Sequence, residues 1–275
     1  EYTAMGDTVN LASRMESTAQ PGTIQVSENP YRLTEGYFEL KPLGEIEVKG
    51  KKEPVKAYQL LGVGHAKTRL GVSEMRGLTP FVGRQRELDQ LMHCYEQAKR
   101  GQGQVVGIVG EPGVGKSRLL LEFIRSLPSE EYTYLEGECP QYGSSIPYLP
   151  FLEILRAYFG FTEGEQEFLI RSRLEQGIAH LDGKLRGILP PLQDILSLKV
   201  ENKEYLKLEP QQRKEQAFEA LRVLLVRESQ NRPLILAIDN LQWIDKTSEE
   251  FLTYLIGGLA STHVLLVLLY RPEYT

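Results

Sequence analysis

Gln104-Val105-Val106-Gly107-Ile108-Val109 runs straight into Gly110-Glu111-Pro112-Gly113-Val114-Gly115-Lys116-Ser117, and then into Arg118-Leu119-Leu120-Leu121. The first block is an apolar run that reads as a buried strand, and Ser117 to Leu127 reads as a helix. Between them the spacing is G-x4-G-K-[ST]. Glycines let the backbone wrap close to an anion, so that successive N–H groups point inward as a nest. The helix that follows adds the positive end of its dipole. Lys116 is then placed to reach the β- and γ-phosphates of a nucleotide, and the Ser117 hydroxyl to ligate Mg²⁺. Glu111, Pro112 and Val114 fill the positions between the glycines, and Arg118 follows on the helix; all of Gly110 to Arg118 is expected to line the phosphates. A chance match in a chain of this length has odds on the order of one in a hundred, and strand–loop–helix is the context the motif requires. This stretch decides the fold: α/β, built on a mainly parallel sheet.

Working outward, Leu234-Ile235-Leu236-Ala237-Ile238 is a second apolar strand ending at Asp239. Alone, an Asp there is a turn residue or a helix cap. Downstream of a phosphate loop it reads as the carboxylate that holds Mg²⁺. Val264 to Leu269 is a further strand, and Tyr132 to Glu136 another. Arg84 to Lys99 carries Leu88, Leu91, Met92 and Tyr95 as a helical stripe. Residues 150–228 have helical periodicity, clearest over Gln211 to Glu228, and form a helical insert. Continuous apolar strands alternating with helices predict a parallel sheet covered on both faces.

The motifs of this half resemble those of the AAA-like ATPases of the signalling (STAND) group. They are Phe81-Val82-Gly83-Arg84-x-x-Glu87-Leu88, the Gly110–Ser117 loop, and Ile238-Asp239-Asn240-Leu241-Gln242-Trp243-Ile244-Asp245. The resemblance spans about residues 78–275. It implies that Phe81, Val82 and Arg84 lie against the adenine of ATP. It also implies that Arg271, in Tyr270-Arg271-Pro272-Glu273, reads the γ-phosphate; read from the residues alone, Arg271 can equally be a strand-end cation in solvent. One departure stands out. Where the family often has a second acid to polarise the attacking water, this chain has Asn240. An amide orients water but takes no proton, so slow hydrolysis is expected, and Asp245 is the next acid along should hydrolysis prove fast.

The first 62 residues read as a compact α+β piece. Val9 to Met15 is helical up to the Pro21-Gly22 break; Thr23 to Ser27, Tyr37 to Leu40, Glu45 to Lys49 and Val55 to Leu61 are strand candidates, with Gly44, Gly50 and Pro54 between them. Asn10 and Arg14 sit at i and i+4 on one helix face, with Leu11, Ala12 and Met15 on the other. From spacing alone, an amide and a guanidinium aimed at one ligand compete with a solvated polar face. The string Glu1-Tyr2-Thr3-Ala4-Met5-Gly6-Asp7-Thr8-Val9-Asn10-Leu11-Ala12-Ser13-Arg14 closely resembles the C-terminal third of class III adenylate/guanylate cyclases. Pro21 to Ser27, Leu43-Gly44-Glu45 and Val48-Lys49-Gly50-Lys51 continue the match to about Leu61. The resemblance implies a ferredoxin-like segment in which Asn10 orients the ribose, Arg14 stabilises the pentavalent transition state and Thr3 reads the purine. It also implies Mg²⁺ or Mn²⁺ held by aspartates upstream of this stretch, and a site completed by a second copy of the chain, hence a homodimer.

Val63 to Thr79 is poor in large apolar residues and reads as a linker. The expected organisation is 1–62 cyclase segment, 63–78 linker and 79–275 P-loop ATPase domain, the whole a piece of a longer protein. Composition bounds the rest. The chain has 275 residues, 32 basic and 37 acidic, for a net charge of −5. A mildly acidic chain is a poor general nucleic-acid binder, so no direct nucleic-acid partner is expected. Two cysteines, Cys94 and Cys139, and four scattered histidines argue against a disulfide scaffold or a thiolate or histidine metal site. No apolar run reaches the ~18–20 residues of a membrane helix, and a cytoplasmic protein is expected. The combined expectation is a signalling protein: a cyclase making cyclic AMP and pyrophosphate from ATP, with the ATPase domain as its nucleotide-dependent switch. The alternative is a regulator, transcriptional or otherwise, that binds ATP and carries a degenerate cyclase segment.

Overall fold

The computed structural model describes residues 6–47, 53–64, 71, 74, 77–162 and 164–274. It divides into two compact units, Glu1–Pro80 and Phe81–Thr275.

In the first unit, helix α1 (Asp7–Thr18) outruns the expected Val9–Met15 at both ends and stops before Pro21. Strand β1 (Ile24–Ser27) leads into α2 (Glu28–Thr34), a helix the sequence reading did not anticipate because Pro30 sits in its first turn, where a missing N–H costs nothing. The two strands expected on either side of Gly44 are one, β2 (Phe38–Ile46). Gly44 does not end it. Its φ of 91° instead absorbs a register shift between Pro42 and Gly44, a bulge that a side-chain-bearing residue would strain. The expected continuation to Lys49 lies outside the described residues, as do Val48 to Lys52. With β3 (Val55–Val63), these strands form an antiparallel sheet in the order β1-β3-β2. Its core is small: Met15 of α1 and Ala57 of β3 are buried, with Leu11, Ile46 and Val55 packed against them.

The second unit begins with α3 (Gln85–Lys99), β4 (Gln104–Val109), α4 (Lys116–Ser126) and β5 (Thr133–Glu138). The helical insert follows as α5 (Leu149–Phe159), α6 (Glu167–Leu181), α7 (Leu189–Ile195), α8 (Lys203–Leu206) and α9 (Pro210–Asn231). Then come β6 (Leu234–Asp239), α10 (Lys246–Gly257) and β7 (Val264–Tyr270). The strands form a four-stranded parallel sheet in the order β4-β7-β6-β5.

Because successive strand residues point to opposite faces, β6 feeds two cores. Leu234, Leu236 and Ile238 join Phe151, Ile154, Leu174, Ile178, Leu192, Leu221 and Phe251 on the insert side. Ile235 and Ala237 meet Leu91 and Tyr95 of α3 and Leu119, Leu120 and Phe123 of α4 on the other. Each large side chain buried this way contributes about 1.5–3 kcal/mol. One expectation is corrected. β4 is not a buried run: it lies at the sheet edge, and Val105 and Val109 are 43% and 50% exposed.

Candidate nucleotide-binding site

The phosphate loop leaves the sheet where Gly110 N donates to Tyr270 O (3.2 Å), so its entry is tied to the end of β7. Gly113 and Gly115 have φ of 82° and 92°, conformations that side chains disfavour. Gly115 then caps α4 from the left-handed region. Lys116 Nζ folds back across the loop, donating to Gly110 O (2.7 Å) and Glu111 O (3.2 Å). These are the distances from which an ammonium can transfer to phosphate oxygens.

The decisive contact is long-range. Ser117 Oγ donates to Asp239 Oδ2 at 2.7 Å, joining the start of α4 to the end of β6. A hydroxyl and a carboxylate brought together at a phosphate loop are hard oxygen donors. That is the donor set Mg²⁺ takes when substrate phosphates and waters complete its octahedron. The residues present therefore fit Mg²⁺ held through a nucleotide. Among the described residues no group of three or more His, Cys, Asp or Glu could hold a metal independently.

Asp239 Oδ1 accepts from Asn240 N (2.7 Å), and Asn240 sits at φ 57°. Its side-chain Nδ2 donates to Glu138 Oε1 at 3.1 Å, while its Oδ1 accepts from Gln242 Nε2 (3.4 Å). Glu138 pairs in register with Asp239 across β5 and β6. Its own N–H donates to Glu153 Oε2 (3.0 Å). Burial pushes the Glu138 and Glu136 carboxyls above the usual range, with the Asp239 charge adding to the effect; Tyr134 O–H, donating to Glu136 Oε2 (2.9 Å), works against it there. Glu138 was missed in the sequence because β5 was expected to stop at Glu136. The signal available was two acids two residues apart, hence on one face of a strand.

The other expected site residues fall as follows. Phe81 lies against α4, with the Arg118 guanidinium 5.8 Å from its ring centre and Arg118 Nε on Glu122 Oε1 (2.8 Å). Arg84 Nη2 donates to Val114 O (3.3 Å), which brings the Phe81–Arg84 segment beside the loop, and Val82 is exposed. Arg271 follows the residue that anchors Gly110, but its guanidinium lies over the Trp243 ring (5.8 Å) and 3.9 Å from Glu273 Oε1. Asp245 is 4% exposed and caps α10, accepting from Ser248 N (2.9 Å) and Tyr148 N (3.4 Å); it is built into the fold, not into the loop. In the first unit Asn10 is exposed and Arg14 half-buried on α1. Met15 and Leu11 turn inward as expected, whereas Ala12 is exposed. Thr3 lies outside the described residues.

A parallel sheet, a glycine loop capping the following helix and an acid at the end of a neighbouring strand define a P-loop nucleotide-binding domain. Residues 80–267 match the AAA ATPase domain family, and the chain belongs to that family. Residues 1–62 match the adenylate and guanylate cyclase catalytic domain. An uncharacterized protein of Rhizobium meliloti is 27% identical over 98% of this chain and 26% of its own length. An adenylate cyclase of Mycobacterium tuberculosis is 40% identical over 29% of this chain and 17% of its own length. The guanylate cyclase domain of a Catenaria anguillulae protein, solved with GTP, is 44% identical over 22% of this chain and 32% of that one, with a TM-score of 0.21. The chain thus spans about a quarter or less of these curated relatives. No helix among the described residues is long and apolar enough to cross a membrane.

Proposed function

We propose that the protein is a cytoplasmic adenylate cyclase of the signalling type whose AAA domain binds ATP with Mg²⁺ and acts as a nucleotide-dependent switch. The observation that carries the ATP-binding half is the Ser117–Asp239 hydrogen bond, because it joins the two oxygen donors that Mg²⁺·ATP needs across 122 residues of sequence. In this reading the Gly110–Gly115 amides and Lys116 hold the phosphates, and Ser117 and Asp239 would hold Mg²⁺, which would neutralise phosphate charge. Phe81, Val82 and Arg84 border the adenine, Arg118 lines the nucleotide side of α4, and Arg271 swings from Trp243 to the γ-phosphate. The Asn240 amide takes no proton, so the residue after Asp239 supplies no base for the attacking water.

The cyclase half rests on the family match. In that reading Asn10 orients the ribose, Thr3 reads the purine, and Arg14 meets the charge that builds on phosphate oxygens as pyrophosphate leaves. The site is completed in a homodimer, with Mg²⁺ or Mn²⁺.

Calorimetry of ATP binding with Mg²⁺ tests the phosphate-loop reading. Lys116→Ala removes charge-assisted contacts and should cost roughly 2–4 kcal/mol, about 30- to 10³-fold in affinity. Equal affinity for wild type and variant overturns the assignment.

A further inference from the structure

The carboxylate missing at position 240 has a neighbour that can replace it. β5 and β6 are parallel and in register, so Glu138 and Asp239 end adjacent strands side by side and project from the same face of the sheet. That face is the one on which α4, the helix of the phosphate loop, packs through Leu119, Leu120 and Phe123. Neighbouring strands lie about 4.8 Å apart. Glu138 is therefore one strand beyond the residue that shares a hydrogen bond with Ser117.

Asn240 does not act alone. Its Nδ2 is committed to Glu138 Oε1 at 3.1 Å. The left-handed backbone at Asn240, φ 57°, turns the amide across the strand end toward that partner; such a conformation is uncommon outside glycine and tolerated by Asn. Among the described residues the second carboxylate oxygen of Glu138 accepts no hydrogen bond, whereas Asp239 uses both of its oxygens on Ser117 and Asn240. The neighbouring acids Glu136, Glu153 and Asp245 each accept through one carboxylate oxygen, and Glu138 is the one among them held by the Asn240 amide. Glu136 accepts from Tyr134, Glu153 accepts from the Glu138 backbone, and Asp245 is a buried helix cap.

We infer that Glu138 is the carboxylate that polarises the water attacking ATP in this domain, held in place by the Asn240 amide, so that the acid comes from the end of β5 and not from the residue after Asp239. This rests on the ATP-binding reading of the loop. Water bonds to the γ-phosphorus as the bond from that phosphorus to the β,γ-bridging oxygen breaks. The water's proton passes to Glu138 and from it to the departing phosphate, giving ADP and inorganic phosphate. Asn240 is a positioning residue in this scheme, and Glu138 the group that touches the reacting water.

The test uses the full-length protein, with ADP and cyclic nucleotide quantified separately and ATP affinity measured in parallel. Glu138→Gln keeps the shape and the contact with Asn240. It should leave ATP affinity within about twofold while lowering the rate of ADP formation by about 10²-fold or more. The exchange variant Glu138→Asn with Asn240→Glu should recover a substantial part of the rate lost in Glu138→Asn alone, which a purely structural role would not produce. Near-wild-type turnover in Glu138→Gln overturns the inference. So does an ATP affinity that falls in step with turnover, an exchange variant no better than the single one, or a wild type that binds ATP without hydrolysing it. A wild type that binds no ATP is a different failure, because it removes the nucleotide-site reading itself.

Discussion

The two units differ in how much of their chemistry the fold supports. In the first, the described residues bury Met15 and Ala57, while Leu33 and Ile24 are 74% and 59% exposed. Among the described residues the Asn10 and Arg14 side chains of α1 make no hydrogen bond, although Arg14 O accepts from Thr18 Oγ1 (2.9 Å). In the second, two cores sandwich a parallel sheet, and that rigidity delivers Ser117 to Asp239 and Asn240 to Glu138 across more than 100 residues. A sequence motif can be just as legible where, among the described residues, the side chains it singles out make no hydrogen bond. What separates the two is whether buried apolar area on both sides holds the donors at hydrogen-bond distance.

The largest expected effect tests that contrast in the cores. Phe251 is fully buried, edge-on to Phe151 at 4.6 Å and packed on Phe218 at 5.4 Å. Phe251→Ala should destabilise the second unit by about 3–5 kcal/mol. Leu33→Ala, on the exposed surface of α2, should change it by less than about 0.5 kcal/mol. The chain's one tryptophan, Trp243, belongs to the second unit, so its fluorescence in urea reports that unit alone. A shift with Leu33→Ala as large as that with Phe251→Ala would mean that the units unfold together.

Next comes the chemistry assigned to α1. In the full-length protein, Arg14→Ala should lower kcat for cyclic AMP by about 10²-fold, near 2.7 kcal/mol, with little change in KM, since the guanidinium acts on charge that develops in the transition state. Asn10→Ala should behave likewise through a misoriented ribose. Product formation at saturating ATP with Mg²⁺ or Mn²⁺ decides it. An unchanged kcat returns both residues to a solvated helix face and widens the gap between the units.

The smallest effect sharpens the picture of the second unit. Burial pushes the Cys139 thiol up to about 12, with the nearby Asp245 charge adding to it; half-buried Cys94 is raised by burial too. A raised pKa keeps the thiol protonated and a poor nucleophile. At pH 8 a thiol reagent should therefore label Cys94 before Cys139, followed by mass spectrometry of the labelled peptides. Cys139 should react at an ordinary rate only once urea unfolds the unit. Early labelling of Cys139 would show that the end of β5, where Glu138 sits, opens readily.

Local order of residues determined much on its own. Gly110 to Ser117, between an apolar run and a helical stripe, specified strand, loop and helix, because anion binding by backbone amides demands glycines at those positions. Leu234 to Asp239 declared a strand buried on both faces ending in an acid. The resemblance of residues 1–62 to a cyclase segment rested on linear identity and needed no contacts. Other features were beyond such reading. Val105 and Val109 look like buried-strand residues, yet β4 lies at an edge, because strand order is set by how helices cross the sheet. Gly44 reads as a strand terminator and is a bulge inside one, since a bulge is defined by its partner strand. Glu138 was overlooked for the same reason: its meaning depends on having Asp239 beside it, and only the pairing of β5 with β6 decides that two acids 101 residues apart share one face.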